Sequence, residues 1–131
     1  MDIKDYLAIG LSGEKQYVVQ ETDSAPHVGS GEMRVLATPR MIAFMELTSR
    51  LMLDEYLPDG YTTVGTMVHV WHKAPSAVGA VVRAITAVKE IDGSKVLLEV
   101  AVWDGDTLVG EGTHERFVID KARFIKRLNN G

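Results

Sequence analysis

Thr38-Pro39-Arg40-Met41-Ile42-Ala43-Phe44-Met45-Glu46-Leu47-Thr48-Ser49-Arg50-Leu51-Met52 carries the clearest periodicity in the chain. Met41, Phe44, Met45, Thr48, Leu51 and Met52 recur at helical spacing and form one apolar stripe. Thr38 suits an N-cap, and Pro39 suits the first helical position, where a missing N–H costs nothing. Pro58-Asp59-Gly60 stops the run. The spacing therefore predicts one helix of about 18 residues, apolar enough to be largely covered.

Beyond this helix the period changes. Thr62 to Ala74 and Val78 to Ile91 are rich in β-branched residues and read as strands. Asp92-Gly93 is a hairpin signal, Lys95 to Trp103 the next strand, Asp104-Gly105-Asp106 the next turn, and Leu108 to Ile119 the last strand. Strands joined by such short turns must pair antiparallel. Upstream, Glu14 to Gln20 reads as a first strand, and Glu21 to Ala37, with Pro26, Gly29, Ser30 and Gly31, as loop. The expected class is α+β, a long central helix wrapped by an antiparallel sheet of about five strands.

The chain has 131 residues and no cysteine. One domain over 1–131 is expected at this length, and disulfides, cysteine-ligated zinc and a thiol nucleophile are excluded. Met1 to Gly10 mixes Asp2, Lys4 and Asp5 with apolar residues, unlike a signal peptide, and no segment reaches the ~20 apolar residues of a membrane helix. A formal charge of −4 disfavours nucleic acid as a partner. A cytoplasmic protein with no membrane or nucleic-acid partner is the expectation. Lys121, Arg123, Lys126 and Arg127 read as a solvated helix face.

Three side chains attract chemical interest. His72 lies in register with Val64, Thr66, Val68 and Val70, at the end of an apolar row where helix and sheet should meet. It is either a histidine satisfied at the edge of the core or a titratable imidazole placed for acid–base work. Glu46 is its natural partner on the helix, unless it simply pairs with Arg50 four residues on. Thr38 is either a plain cap or a hydroxyl at a helix N-terminus, where unpaired amides can hold developing negative charge. His69 and His72 should point to opposite faces of their strand, which disfavours a shared metal, and no ligand pattern or cofactor motif occurs. Gly110 and Gly112 fall inside a strand, where a bulge or close backbone approach is the usual cause.

Val35-Leu36-Ala37-Thr38-Pro39 followed by Met45-Glu46 resembles the start of the central helix in hotdog-fold thioesterases of the fluoroacetyl-CoA thioesterase type. Val64-Gly65-Thr66 leading to His72, Pro75 and Gly79 is similar to that family's second strand. Gly110-Glu111-Gly112-Thr113-His114-Glu115-Arg116, ending Val118-Ile119-Asp120, is similar to its last strand. The resemblance covers roughly Val35 to Phe124 in the same order. It implies a hotdog fold, hydrolysis of a small or medium acyl-CoA without a cofactor or metal, and a homodimer whose sites lie at the subunit interface. It also implies roles: Thr38, Glu46 and His72 as catalytic residues, and Gly65 with its backbone against the substrate carbonyl. In one respect the chain departs from the pattern. The fluoroacetyl-specific type carries lid phenylalanines before the helix, and Glu21 to Ala43 contains none. A different acyl group is expected.

Two other readings fit the same fold. Asp23-Ser24-Ala25-Pro26-His27 faintly resembles the Asp and His pair of hotdog hydratases and dehydratases. Met41, Met45, Met52 and Met67 would suit an adaptable pocket in a non-catalytic acyl-binding module.

Overall fold

The computed structural model describes residues 1–131. The first strand is β1 (Ser12–Val18). The predicted loop holds a 3₁₀ turn at Glu21–Asp23 and a single-turn helix α1 (Ala25–Val28), started by Pro26 and closed by Gly29 at φ 92°. Then come the long helix α2 (Thr38–Asp54) and strands β2 (Tyr61–His72), β3 (Val81–Asp92), β4 (Lys95–Asp104) and β5 (Thr107–Asp120), followed by a terminal helix α3 (Lys121–Asn129). One antiparallel sheet results, in the order β1-β3-β4-β5-β2. The expected helix against five strands is present.

The helix buries most of the stripe read from the sequence: Met41, Phe44, Met45, Thr48 and Met52 are all nearly inaccessible, and so is Leu53, which was not counted in it. Leu51, counted in that stripe, lies partly exposed beside it, and Ser49 is buried instead. Ser49 belongs inside because its hydroxyl bonds the Met45 carbonyl and Thr86 Oγ1, each at 2.8 Å. The sheet answers with every second residue. Val82, Ala84, Thr86 and Val88 of β3 and Val96, Leu98, Val100 and Val102 of β4 are buried, the period-two signature of a sheet covered on one face. Each fully buried valine, leucine or methionine contributes about 1.5–3 kcal/mol. No helix is long and apolar enough to cross a membrane.

Asp92↔Lys95 and Asp104↔Thr107 close two-residue hairpins, each with glycine (Gly93, Gly105) first at φ 58°. Glycine at that place is the type II′ arrangement, which matches the strand twist. Gly110 and Gly112 answer the close-approach reading. A Cβ on Gly110 would stand 2.8 Å from both Met41 Cε and the Trp71 carbonyl, and one on Gly112 would strike the His69 carbonyl. Bare backbone there lets α2 and β2 settle onto β5.

A bulge between Gly65 and Met67 breaks the register of β2 against β5. The unbroken row expected from Val64 to His72 is therefore corrected. Thr63 and Gly65 before the bulge, and Val68, Val70 and His72 after it, share the helix side, whereas Val64 pairs with exposed Phe117 and turns away. Thr66 sits in the bulge and donates to the Glu115 carboxylate at 2.6 Å. His69 lies on the opposite face from His72, tilted against Trp71 at 4.8 Å.

β2 is an edge of the sheet, and its sequence treats that edge unusually. Tyr61-Thr-Thr-Val-Gly-Thr-Met-Val-His-Val-Trp-His72 holds no lysine, carboxylate or proline, and it leaves Met67, Val68 and Trp71 exposed. The other edge, β1, carries Glu14 and Lys15. Edges meant to stay unpaired are blunted by charge or proline.

Candidate active site

Thr38 is not the helix cap. The capping position belongs to Ala37, Thr38 is the first helical residue, and Pro39 is the second. Its hydroxyl is thereby released from the backbone and bonds His72 Nδ1 at 2.8 Å. The helix N-terminus offers fewer free amides than expected. Pro39 has no N–H, and the Arg40 and Met41 amides both turn back to the Ala37 carbonyl. Only the Thr38 amide is left in the first turn to meet a substrate oxygen.

His72 is half-buried at the end of β2. Burial pushes its pKa below the ordinary imidazole value of 6.5, with the Ala74 backbone pulling partly the other way. The ring is therefore neutral at pH 7. Its Nε2 is buried and bonds nothing in the chain, whereas Nδ1 meets the Thr38 hydroxyl. Thr38 and His72 line an open cleft of about 300 Å³ with Ala25, Ser30, Val35, Leu36, Ala37 and the stretch from Lys73 to Pro75. The loop from Gly29 to Met33, which brings Ser30 to this cleft, is exposed. An oxygen held on a neutral, partly desolvated imidazole is the nucleophile-and-base arrangement of acyl transfer.

Glu46 does not join that pair within the chain. Eight residues separate it from Thr38 on α2, about 12 Å along the helix. Nor does it pair with Arg50, which bonds Asp54 at 2.8 Å. Glu46 Oε2 instead lies 3.8 Å from Nη1 of Arg116, a side chain only 5% exposed. The guanidinium donates from Nε to Thr63 Oγ1 at 2.6 Å, from Nη2 to the Thr63 carbonyl at 2.8 Å, and from Nη1 to His114 Nε2 at 3.1 Å. Burial opposes the Arg116 charge and Glu46 supports it. Gly65 lies against this cluster: a Cβ there would stand 2.8 Å from Glu46 Oε2 and 3.3 Å from His114 Cε1. The four candidates thus form two half-sites, Thr38 with His72 and Glu46 with Gly65.

Sequence reasoning gave no role to Arg116 or His114. Their signal was present, because His114, Arg116 and Val118 alternate inward on β5, and a charged residue on a buried row needs a partner. The hydratase-like pair does not form. Asp23 is buried and spent on the Arg40 guanidinium at 2.7 Å and the Gln20 amide at 2.8 Å, while His27 is exposed.

Residues 19–122 match the family described as fluoroacetyl-CoA-specific thioesterase, FlK. The fluoroacetyl-CoA thioesterase of Streptantibioticus cattleyicolor is 29% identical over 128 residues, which span 93% of this chain and 92% of that protein. A solved structure of the fluoroacetyl-CoA thioesterase FlK superposes with a TM-score of 0.88 at 25% identity, covering 95% of this chain and 96% of the other. A hot-dog-like protein from Thermanaerovibrio acidaminovorans, 24% identical, shares the fold with a TM-score of 0.90 over 99% of this chain and 96% of its own. With the helix, the five-stranded sheet and the matched residues in agreement, the chain belongs to the fluoroacetyl-CoA-specific thioesterase family of hotdog-fold acyl-CoA hydrolases.

Proposed function

We propose that two copies of this domain pair through β2 and hydrolyse a small or medium acyl-CoA at two shared sites, each built from Thr38 and His72 of one subunit and Glu46 and Gly65 of the other. The carrying observation is the Thr38–His72 hydrogen bond at 2.8 Å, with Glu46 held away from it beside Gly65. An antiparallel pairing of β2 with its own copy that sets position 69 opposite 69 keeps like faces together, and with Thr66 bulged out it brings position 65 of one strand opposite 72 of the other, both on the helix side. Glu46 then arrives next to the partner's imidazole. The uncharged, apolar edge of β2 supports such a pairing.

The chemistry follows from the groups. The Thr38 oxygen attacks the thioester carbonyl as His72 Nδ1 takes its proton, and the imidazolium returns that proton to the departing thiolate. The Thr38 amide and the Gly65 backbone face the charge that builds on the carbonyl oxygen. Glu46 then takes a proton from the water that attacks the Thr38 ester, and as the C–O bond to Thr38 breaks that proton passes to the Thr38 oxygen, releasing the acid and restoring both side chains. The loop lacks phenylalanine and its tip is open, which favours an acyl group other than fluoroacetyl.

The test is complementation. Chains carrying His72→Ala and chains carrying Glu46→Ala, each nearly inactive alone, are unfolded together, refolded as a mixture and assayed for thiol release. With shared sites, random pairing makes half the dimers mixed, and each mixed dimer holds one intact site. About one quarter of wild-type activity should return. A mixture no faster than its parents would refute a site shared in this way.

A further inference from the structure

His114 is among the most buried side chains of the chain, at 1% exposure, yet the chemistry above makes no use of it. Its two nitrogens meet groups of opposite character. Nδ1 lies 2.8 Å from the Met67 carbonyl, which can only accept, so Nδ1 carries the hydrogen. Nε2 lies 3.1 Å from Arg116 Nη1, which can only donate, so Nε2 must present a bare lone pair. The surroundings thus demand one protonation state and one tautomer of this ring, neutral with Nδ1–H.

Arg116 is correspondingly constrained. Thr63 holds it along one edge through Oγ1 and its carbonyl, and His114 holds Nη1 from a second direction. Nη1 is also the atom facing Glu46, at 3.8 Å. Taking away the lone pair of His114 would free the end of the guanidinium that faces the carboxylate. Gly65 makes room for this: with any side chain there, Glu46 and His114 would both be displaced.

We infer that His114 is a positioning residue for the thioesterase reaction: its neutral imidazole fixes the guanidinium of Arg116, which in turn fixes the carboxylate of Glu46 at the mouth of the shared site. The inference rests on the role proposed for Glu46. The charged and titratable groups around the ring are Arg116 on its own strand and Glu46 on α2, with Arg50 and Asp54 acting on Arg116 from farther along that helix. The segment of β2 packed against it, from Thr63 to Met67, contributes none. Burial and the Arg116 charge both disfavour the protonated ring, while the Met67 carbonyl and Glu46 act the other way. A protonated His114 would place a donor against a donor and two cations in contact.

Four variants and one spectrum test this. His114→Leu keeps an apolar filler and removes the acceptor, and kcat should fall about 10–100-fold with little change in KM, the scale on which lost outer-shell partners act. His114→Gln offers one acceptor and one donor without titrating, and should recover at least half of that loss on a logarithmic scale. Glu46→Gln is assayed beside them, alone and combined with His114→Leu. If His114 acts through the carboxylate, the double variant is no slower than Glu46→Gln. An additive loss, or His114→Gln as slow as His114→Leu, would mean that the ring merely fills space and would overturn the inference. Should Glu46→Gln retain wild-type rate, the role of Glu46 itself fails, a distinguishable result. If His114→Leu does not fold, the imidazole nitrogen shifts of the wild-type protein decide. They should report a neutral Nδ1–H ring unchanged from pH 8 to 6, whereas titration near 6.5 would contradict the assignment.

Discussion

His72→Ala is expected to lower kcat for thiol release by about 10²–10⁴-fold, the range over which a positioned acid–base group acts. In barrier terms this is roughly 3–5 kcal/mol. The expectation follows from the bond that Nδ1 makes with the Thr38 hydroxyl at 2.8 Å. Without the imidazole, that hydroxyl has no acceptor for its proton and the departing thiolate no donor. The ring is half-buried at a strand end, so its removal should leave the fold intact, as circular dichroism would verify. The pH profile supplies a second reading. A base works when unprotonated, and burial holds the His72 pKa below 6.5. Wild-type kcat/KM should therefore stay level as pH falls to that value and decline only below it, tenfold per unit. The residual rate of His72→Ala should lack this acid limb. A folded variant within tenfold of wild type, or one with the same acid limb, would remove His72 from the mechanism.

Val68→Glu is expected to separate the subunits and to abolish turnover by at least about 100-fold. Val68 is 39% exposed on an edge strand that contains no charge of its own. In the proposed pairing it lies one residue from the twofold axis, so the substitution places two carboxylates as diagonal neighbours on one face of a desolvated seam. A buried, unpaired charge costs several kcal/mol, and here it is incurred twice. Under the proposed sharing, catalysis should go with assembly, because a lone chain would keep Thr38 and His72 but lack a partner's Glu46, and misplaced groups alone cost orders of magnitude. Sedimentation and thiol release read the two effects on the same sample. A variant that is monomeric yet fully active would show that each chain carries a complete site.

How much of this was legible depended on how local each cause is. The central helix was plain because its stripe is a matter of spacing along one segment. The hairpins were plain because a glycine between two β-branched runs marks a tight turn, although Asp92 and Asp104 end their strands and the loops are Gly93-Ser94 and Gly105-Asp106. Boundaries moved where one residue overrode a pattern. Val78 looked like strand, but Gly79 at φ 95° and the Ala80-to-Ala77 hydrogen bond make a turn, so β3 starts at Val81. Similarly Ser24 and Pro26 start a short helix inside what read as plain loop. The bulge after Gly65 had no signature in the residues, and it reverses which side chains before it face the helix.

The site shows the same division. The meeting of Thr38 with His72 came from a resemblance, since nothing in a 34-residue separation announces a hydrogen bond. Glu46 looked like half of a helical ion pair with Arg50. Its actual neighbour is Arg116, seventy residues downstream on β5, and pairing across the sheet lies outside what helical spacing can reveal. The buried alternation of His114 with Arg116 was the available hint, a basic residue placed where only a satisfied one is stable.

The contrast between the two sheet edges sets a stopping point for growth. When β2 docks on its own copy, both bare edges are consumed at once and the combined ribbon ends on both sides in β1. Glu14 and Lys15 there disfavour any further strand, so under the proposed pairing edge-to-edge association would stop at two subunits instead of running on into a filament. On that reading the same chain would encode both an adhesive margin and a non-stick one, and a sedimenting species larger than two chains at high concentration would contradict that division.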